Sequence, residues 1–334
     1  MSERLPAAWL ETLDLPLIAA PMFLVSSIDL VAAACENGVI GAIPTVNARS
    51  PEILDGWLAE LTARLEKAKE RKPAPWAINL IVHRTNRRLQ ADLDLCVKYR
   101  APLIITALGS PREVVPAVHD YGGLVFADVS TPEYAYKAAQ SGADGLVLVC
   151  SGAGGHTGQI AAPAFISAVR EFWDGIIVVA GAMTSGNDLR AAQLLGADLA
   201  YMGTRFIATE ESMAAQAYKQ MVVDCAFKDI VCTDVITGAF ANNLRPSMEA
   251  AGIDCDRLDE LKTSRGFDLE HGKDQPKAWK DIWSAGHAVG QIRKVESTAA
   301  IVGQLREEYR SALAAEFADP WVQRYAAEAR KASA

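Results

Sequence analysis

The chain has no apolar run of membrane-spanning length, and its start, Met1-Ser2-Glu3-Arg4-Leu5-Pro6, has no apolar signal core. A spanning helix needs about 20 consecutive apolar residues. The expectation is a soluble, cytoplasmic protein with no membrane partner. A basic stripe is also missing: Lys and Arg number 33 against 41 Asp and Glu, a formal net charge of −8. Nucleic acid needs clustered cations for its phosphates, so it is not an expected partner. The six cysteines, at positions 35, 96, 150, 225, 232 and 255, form no CxxC pair and no zinc spacing. No metal is expected, and the thiols are read as reduced and mainly buried. Histidine is scarce, five in 334 residues.

Hydrophobic residues make up 50% of the chain, enough for a large core. They fall into eight short runs: Leu17–Pro21, Ile40–Thr45, Trp76–Ile81, Leu103–Leu108, Leu124–Ser130, Gly145–Cys150, Ile176–Ala182 and Leu199–Thr204. Each is nearly continuous in Ile, Val, Leu and Ala, as for parallel strands buried on both faces. The segments between them have helix punctuation. Ser50-Pro51-Glu52, Thr131-Pro132-Glu133 and Ser185-Gly186-Asn187-Asp188 are helix starts, and Gly142-Ala143-Asp144 and Gly196-Ala197-Asp198 are helix stops before strands. Eight βα units predict an α/β fold, a (β/α)₈ TIM barrel. The rival, a doubly wound open sheet, calls for GxGxxG after its first strand. Here that position reads Ala19-Ala20-Pro21-Met22-Phe23, and the glycine-rich loops follow strands six to eight.

After Ile207 the alternation stops. Residues 210–280 are read as a small helical lid subdomain, with breaks at Asp254–Asp256 and His271–Asp274. Residues 1–209 and 281–334 are assigned to the barrel, the last part as helices that return to it.

Barrel enzymes place their sites at the C-terminal ends of the strands, so the residues there are the candidates. Cys150-Ser151-Gly152-Ala153-Gly154-Gly155-His156-Thr157-Gly158 follows strand six and sets one histidine among four glycines. Imidazole is suited to proton transfer near neutral pH, so His156 is the candidate catalytic residue. His119, His271 and His287 have no comparable context. Ala180-Gly181-Ala182 and Met202-Gly203-Thr204 offer backbone N–H groups near helix starts, the geometry for a phosphate. The small residues of Ala20-Pro21-Met22-Phe23 allow a flat ring to lie against the backbone, with a tight turn packed with Met and Phe as the alternative. Asn79 offers a donor–acceptor edge, with capping of a neighbouring loop as the alternative. Asp128 orients a ligand or accepts a hydrogen bond from one, with capping of the helix at Thr131-Pro132 as the alternative for its stretch and Ser130 as the better cap. Cys150 has no adjacent base and is read as a packed thiol.

Together these motifs resemble the nitronate monooxygenase family, formerly called 2-nitropropane dioxygenases. The resemblance rests on Ala19–Met22, Asn79-Leu80, Gly152–Gly158, Ala180–Ala182, Met202-Gly203-Thr204-Arg205-Phe206 and Ile282-Trp283-Ser284-Ala285-Gly286. It implies a barrel with a lid, non-covalent FMN and a catalytic histidine, here His156. It places the flavin on Ala20, Pro21 and Met22, with Asn79 at the ring. Gly154, Gly155, Gly181, Ala182, Gly203 and Thr204 would hold the phosphate, and Ser284 would reach the flavin or a water. The implied reaction oxidises alkyl nitronates with O2 to carbonyl compounds and nitrite, by an enzyme whose partners are its small-molecule substrate and O2; a homodimer is compatible. Some relatives carry Gln-Gly-Gly-Met after strand one and His-Lys-Cys after strand five, where this chain has Ala19–Met22 and Ala127-Asp128-Val129. The alternatives on the same scaffold are an NAD(P)H:quinone oxidoreductase and a flavin enoyl-acyl-carrier-protein reductase. A phosphate-ligand binding barrel is the non-enzyme alternative.

Overall fold

The computed structural model describes residues 4–68, 70–260 and 279–332. Eight parallel strands close a barrel: β1 (Leu17–Ala19), β2 (Ile40–Pro44), β3 (Trp76–Ile81), β4 (Leu103–Ala107), β5 (Leu124–Val129), β6 (Gly145–Val149), β8 (Ile176–Ala180) and β9 (Leu199–Met202). Strand β9 pairs with β1, which completes the closure. The remaining early strand, β7 (Gly155–His156), lies outside the barrel. All eight predicted runs are therefore strands. Seven were read one or two residues too long, always at the C-terminal end. Those extra residues are small or apolar like the strand, but they form the turns of the barrel mouth.

Side chains alternate between two environments, as the period of two requires. Ile18, Ala42, Ala77, Ile105, Phe126, Val147, Val178 and Tyr201 share the cluster inside the barrel. Ile78, Ile104, Val125 and Ala127 pack outward under the helices. Trp9 plugs the N-terminal end, its ring 6.1 Å from that of Phe126.

The predicted helix punctuation is realised. Ser50 and Thr131 accept from the N–H groups of Ile53 and Tyr134, and Ser185 and Asp188 form a capping box. The repeated Gly-Ala-Asp has a structural reason. Gly142 and Gly196 take φ of 90° and 104°. Each aspartate then bonds back to the start of the preceding strand in the sheet. Asp144 accepts from Val125 N at 2.8 Å, and Asp198 accepts from Ile177 N at 2.9 Å.

The segment after the short helix Thr204–Ile207 differs from the expected all-helical lid. It contains the helices Gln216–Asp224 and Arg245–Ala250, but between them run β10 (Ile230–Thr233) and β11 (Ala241–Leu244). These pair antiparallel with β7 in the order β10-β11-β7. The signal was present in the β-branched run Ile230-Val231-Cys232-Thr233. It is short, and its partner strand is distant in sequence. The predicted break at His271–Asp274 lies outside the described residues.

The helix Thr298–Ala318 occupies the last place around the barrel. Its Ile301, Val302 and Leu305 pack with Leu30, Ala34 and Leu189. Glu316 pairs with Arg190 at 2.6 Å, and Glu308 accepts from Gly186 N at 2.8 Å. At Gly186 the two helices touch backbone to backbone: a Cβ there would lie 2.2 Å from Tyr309 N and 2.3 Å from Leu305 O. Neither atom can yield without moving a helix. Gly186→Ala should therefore lower stability by about 1–3 kcal/mol, read as a reduced urea midpoint at unchanged slope. An unchanged midpoint would show that the C-terminal helix is not held against the barrel.

Candidate active site

The loops after β1, β6, β8 and β9 meet at the C-terminal mouth, and the segment Ser284–His287 crosses them. Gly286 N donates to Thr204 Oγ1 at 2.9 Å, and His287 N donates to the Gly152 carbonyl at 3.0 Å. A Cβ on Gly154 would lie 2.7 Å from Gly286 N, so this glycine is required by the crossing chain itself. A Cβ on Gly203 would lie 3.6 Å from Met22 Sδ and 3.7 Å from Ala20 Cβ, which brings the β1 and β9 turns together. Three residues other than glycine take positive φ just after barrel strands: Leu24 (58°), Leu108 (60°) and Ala182 (57°). Backbone strain of this kind collects where a site must be shaped.

The predicted phosphate cradle divides in two. The helix start after β8 is not free. Thr184 N and Ser185 N donate to Asp188 Oδ2 at 2.9 and 2.8 Å, and Gly186 N is taken by Glu308. The sequence placed anion-binding N–H groups near this helix start, and these carboxylates already neutralise it. The turns just before the helices are different. Among the described residues, no hydrogen bond engages the N–H groups of Gly181, Ala182, Gly203 or Gly154. Gly181, with φ of 119°, sits against the carbonyls of Ser151 and Cys150, so the β6 and β8 turns are in contact.

His156 lies in β7, where Gly155 and His156 pair with Asn242 and Ala241 of β11. The proposed base is thus held on a strand. Its ring stands edge-on to Trp279, centroids 5.2 Å apart at 79°. Among the described residues no hydrogen bond engages either ring nitrogen. The ring keeps an exposed edge, but desolvation draws its pKa below the ordinary 6.5. At neutral pH it is the uncharged imidazole, which accepts a proton.

Inside the barrel mouth stand three polar side chains. Asn79 is buried, and its amide nitrogen donates to the Ile105 carbonyl at 3.1 Å. Its capping alternative falls away, and its oxygen is the atom left for a ligand. Alternation on β5 places Asp128 inward beyond Phe126, while Ala127 and Val129 face outward. Ser130 and Asp128 do not cap the next helix, since Thr131 does. Asp128 Oδ1 and Tyr201 Oη are buried with no hydrogen-bond partner among the described residues. Burial alone pushes the Asp128 carboxyl from 3.8 up to about 7.

The remaining candidates have structural duties. Ala20 is buried, and Asn47 holds the turn beyond it. The Asn47 side chain accepts from Leu24 N at 2.9 Å and donates to the Met22 and Ser26 carbonyls at 3.1 and 2.8 Å. The Ser284 hydroxyl donates to Asn243 Oδ1 at 2.8 Å, and its carbonyl accepts from Tyr218. It joins the C-terminal segment to β11 with its hydroxyl proton, which leaves the hydroxyl oxygen only as an acceptor. Cys150 is buried, with its pKa pushed up to about 12, so it is no thiolate at neutral pH. The sequence reading missed Asn47, Tyr201, Trp279 and His287. Of these, His287 had a usable signal, since it ends the Ser284-Ala285-Gly286 motif. Its ring lies at the Gly152 turn beside Ala182.

A sequence profile described as nitronate monooxygenase matches residues 7–308. This chain belongs to the nitronate monooxygenase family. It is 25% identical over 271 residues to a Mycobacterium tuberculosis protein named (3aS,4S,5R,7aS)-5-hydroxy-7a-methyl-1-oxo-octahydro-1H-indene-4-carboxyl-CoA dehydrogenase, covering 80% of this chain and 72% of that one. It is 29% identical to a probable nitronate monooxygenase of Staphylococcus haemolyticus, over 52% of this chain and 53% of that one, about half the length of each. Among solved structures, nitroalkane oxidase from Streptomyces ansochromogenes superposes with a TM-score of 0.73 at 24% identity, over 92% of this chain and 99% of that one. FabK from Thermotoga maritima gives 0.72 at 23%, over 91% and 95%. These two likenesses show the shared barrel fold. The nitronate monooxygenase family makes the chain an oxidoreductase.

The flavin that the family resemblance implies fits this mouth. The unengaged N–H groups suit a phosphate, and Asp128 Oδ1 and Tyr201 Oη are buried polar atoms with no partner among the described residues. In a family member of this fold, such groups cost stability until a ligand meets them. The folded pKa of Asp128 exceeds its unfolded 3.8, so the folded state holds the extra proton, and stability falls as pH rises from about 4 to 7. Without ligand, Asp128→Asn should gain stability over the parent at pH 8, up to about 4 kcal/mol, and little at pH 4. Urea unfolding at the two pH values checks this; an equal difference at both would show that Asp128 is not a buried acid.

Proposed function

We propose that this protein is an FMN-dependent nitronate monooxygenase that oxidises alkyl nitronates with O2 to carbonyl compounds and nitrite. The observation that carries the reading is His156: an uncharged imidazole with no hydrogen-bond partner among the described residues, set on β7 just after the β6 turn, whose Gly154 N–H is unengaged like those of Gly181, Ala182 and Gly203. FMN, when bound, supplies the electron-accepting ring and passes the electrons to O2. Gly181, Ala182, Gly203 and Gly154 would hold its phosphate through backbone N–H groups, with Gly155 and Thr204 shaping the turns. Ala20, Pro21 and Met22 would lie along the ring, Asn79 would accept from it through Oδ1, and Ala180 and Met202 close the strands beneath.

The side chains then do the rest. Neutral His156 takes the α-proton of a nitroalkane at its free ring nitrogen, and the resulting imidazolium holds the anionic nitronate. Trp279 shields one side of that ring from water. Pairing of β7 with β11 fixes where the imidazole stands, so the proton moves over a set distance.

A second reading is favoured by the Mycobacterium tuberculosis relative, whose name is that of a carboxyl-CoA dehydrogenase. On it, the same flavin site would exchange electrons with a nicotinamide or a thioester substrate. Anaerobic mixing separates the two. Loss of flavin colour with a nitronate but not with NADH supports the monooxygenase, and rapid loss with NADH supports the reductase type. His156→Asn should keep bound FMN and lose about 100- to 10,000-fold in kcat/KM for nitroethane. In the parent, kcat/KM should hold as pH falls to 6.5 and decline only below it, because the His156 pKa is lowered. Unchanged turnover in His156→Asn would remove the assignment.

A further inference from the structure

Asp128 and Tyr201 stand on opposite flanks of β6 and β8, both directed into the barrel. Asp128 is in register with Val147 of β6, and Tyr201 with Ala180 of β8. Each has a buried oxygen with no partner among the described residues, and the charge on Asp128 would act on the Tyr201 phenol. The inward residues around them are Ile18 on β1 and Ala20 just after it, Ala42 on β2, Ala77 and Asn79 on β3, Ile105 on β4, Phe126 beside Asp128, Val147 on β6 and Val178 and Ala180 on β8. None of these is a cation, and none but Tyr201 titrates. Among the described residues, no hydrogen bond or cation acts on the Asp128 carboxyl to hold it ionised.

We propose that Asp128 enters the flavin complex as the neutral acid, and that it and Tyr201 form an uncharged pair of hydrogen-bond donors to the acceptor atoms of the ring. This rests on the flavin reading above and changes the role first given to Asp128. The sequence suggested an acceptor or an orienting charge; the surroundings make it a donor. An ionised Asp128 has no proton to give and would set a negative charge against the carbonyl edge of the ring. Flavin binding is therefore linked to one proton. Burial already brings this carboxyl to about 7 without ligand, so the linkage falls in an accessible range.

The test is FMN titration by flavin fluorescence from pH 6 to pH 9, with parent, Asp128→Asn and Tyr201→Phe. For the parent, Kd should rise toward about tenfold per pH unit above pH 7. Asp128→Asn keeps a donor at every pH. The phosphate of FMN titrates equally in all three proteins, so the ratio of parent to Asp128→Asn isolates Asp128, and it should climb with pH. Tyr201→Phe should weaken binding about 3- to 10-fold at every pH. A constant ratio between parent and Asp128→Asn overturns the proposal while leaving the flavin reading intact. No binding by any of the three at any pH overturns the flavin reading itself. Infrared titration of the parent is independent of how the variants fold. A carboxylic-acid C=O band that disappears near pH 7, and persists to higher pH with FMN, supports the pair. No carboxyl titrating above pH 6 overturns it.

Discussion

The arrangement of the mouth depends on one close backbone crossing. Residues 284–287 lie across the turn after β6, with Gly286 bonded to Thr204 and His287 to Gly152. The fit is tight enough that side chains on Gly154 and Gly286 are excluded by each other's backbone. This contact fixes the β6 turn against the β9 turn. It also brings Asn243 and Ser284 together, so β11 can pair with the strand that bears His156. The helix Thr298–Ala318, which follows this segment in the chain, holds the start of the Ser185-capped helix through Glu308. The turns proposed as a cofactor cradle and the strand that bears His156 are thus set by a piece of chain more than 100 residues downstream of that histidine.

The barrel was legible because its signals are local. Eight apolar runs, three capped helix starts and two Gly-Ala-Asp stops each depend on a few neighbouring residues. The sheet of the excursion was not legible, because β7 has two residues and finds β11 some 85 residues away. The His156 turn was singled out from its glycines, and the structure gives two of them another reason. Its glycines looked like room for a flavin; Gly154 is required by the crossing of residue 286, and Gly155 packs near Trp279. The helix start after β8 looked like an anion site for the same local reason, and Glu308, distant in sequence, is part of what occupies it. Asn47 and Tyr201 were missed because an asparagine in a turn and a tyrosine in a strand are ordinary until their partners, or lack of them, are known.

The interior shows a consistent trade. Most inward residues are apolar, as a filled barrel requires. Asn79, Asp128 and Tyr201 break that rule at its C-terminal end, and two of them carry unsatisfied oxygens. Departures from a consistent core collect at functional sites, and these sit under the turns with unengaged N–H groups. On the proposed flavin reading, these oxygens and N–H groups, which have no partners among the described residues, would be two ends of one ligand site, a ring end in the barrel and a phosphate end at its rim.

Amide-resolved hydrogen exchange with and without FMN tests that division most directly. The N–H groups of Gly181, Ala182 and Gly203 should gain protection when FMN is added, while Thr184, Ser185 and Gly186, already bonded to Asp188 and Glu308, should not change. Protection gained at residues 184–186 instead, or at none of the six, would contradict the placement of the phosphate in the turns.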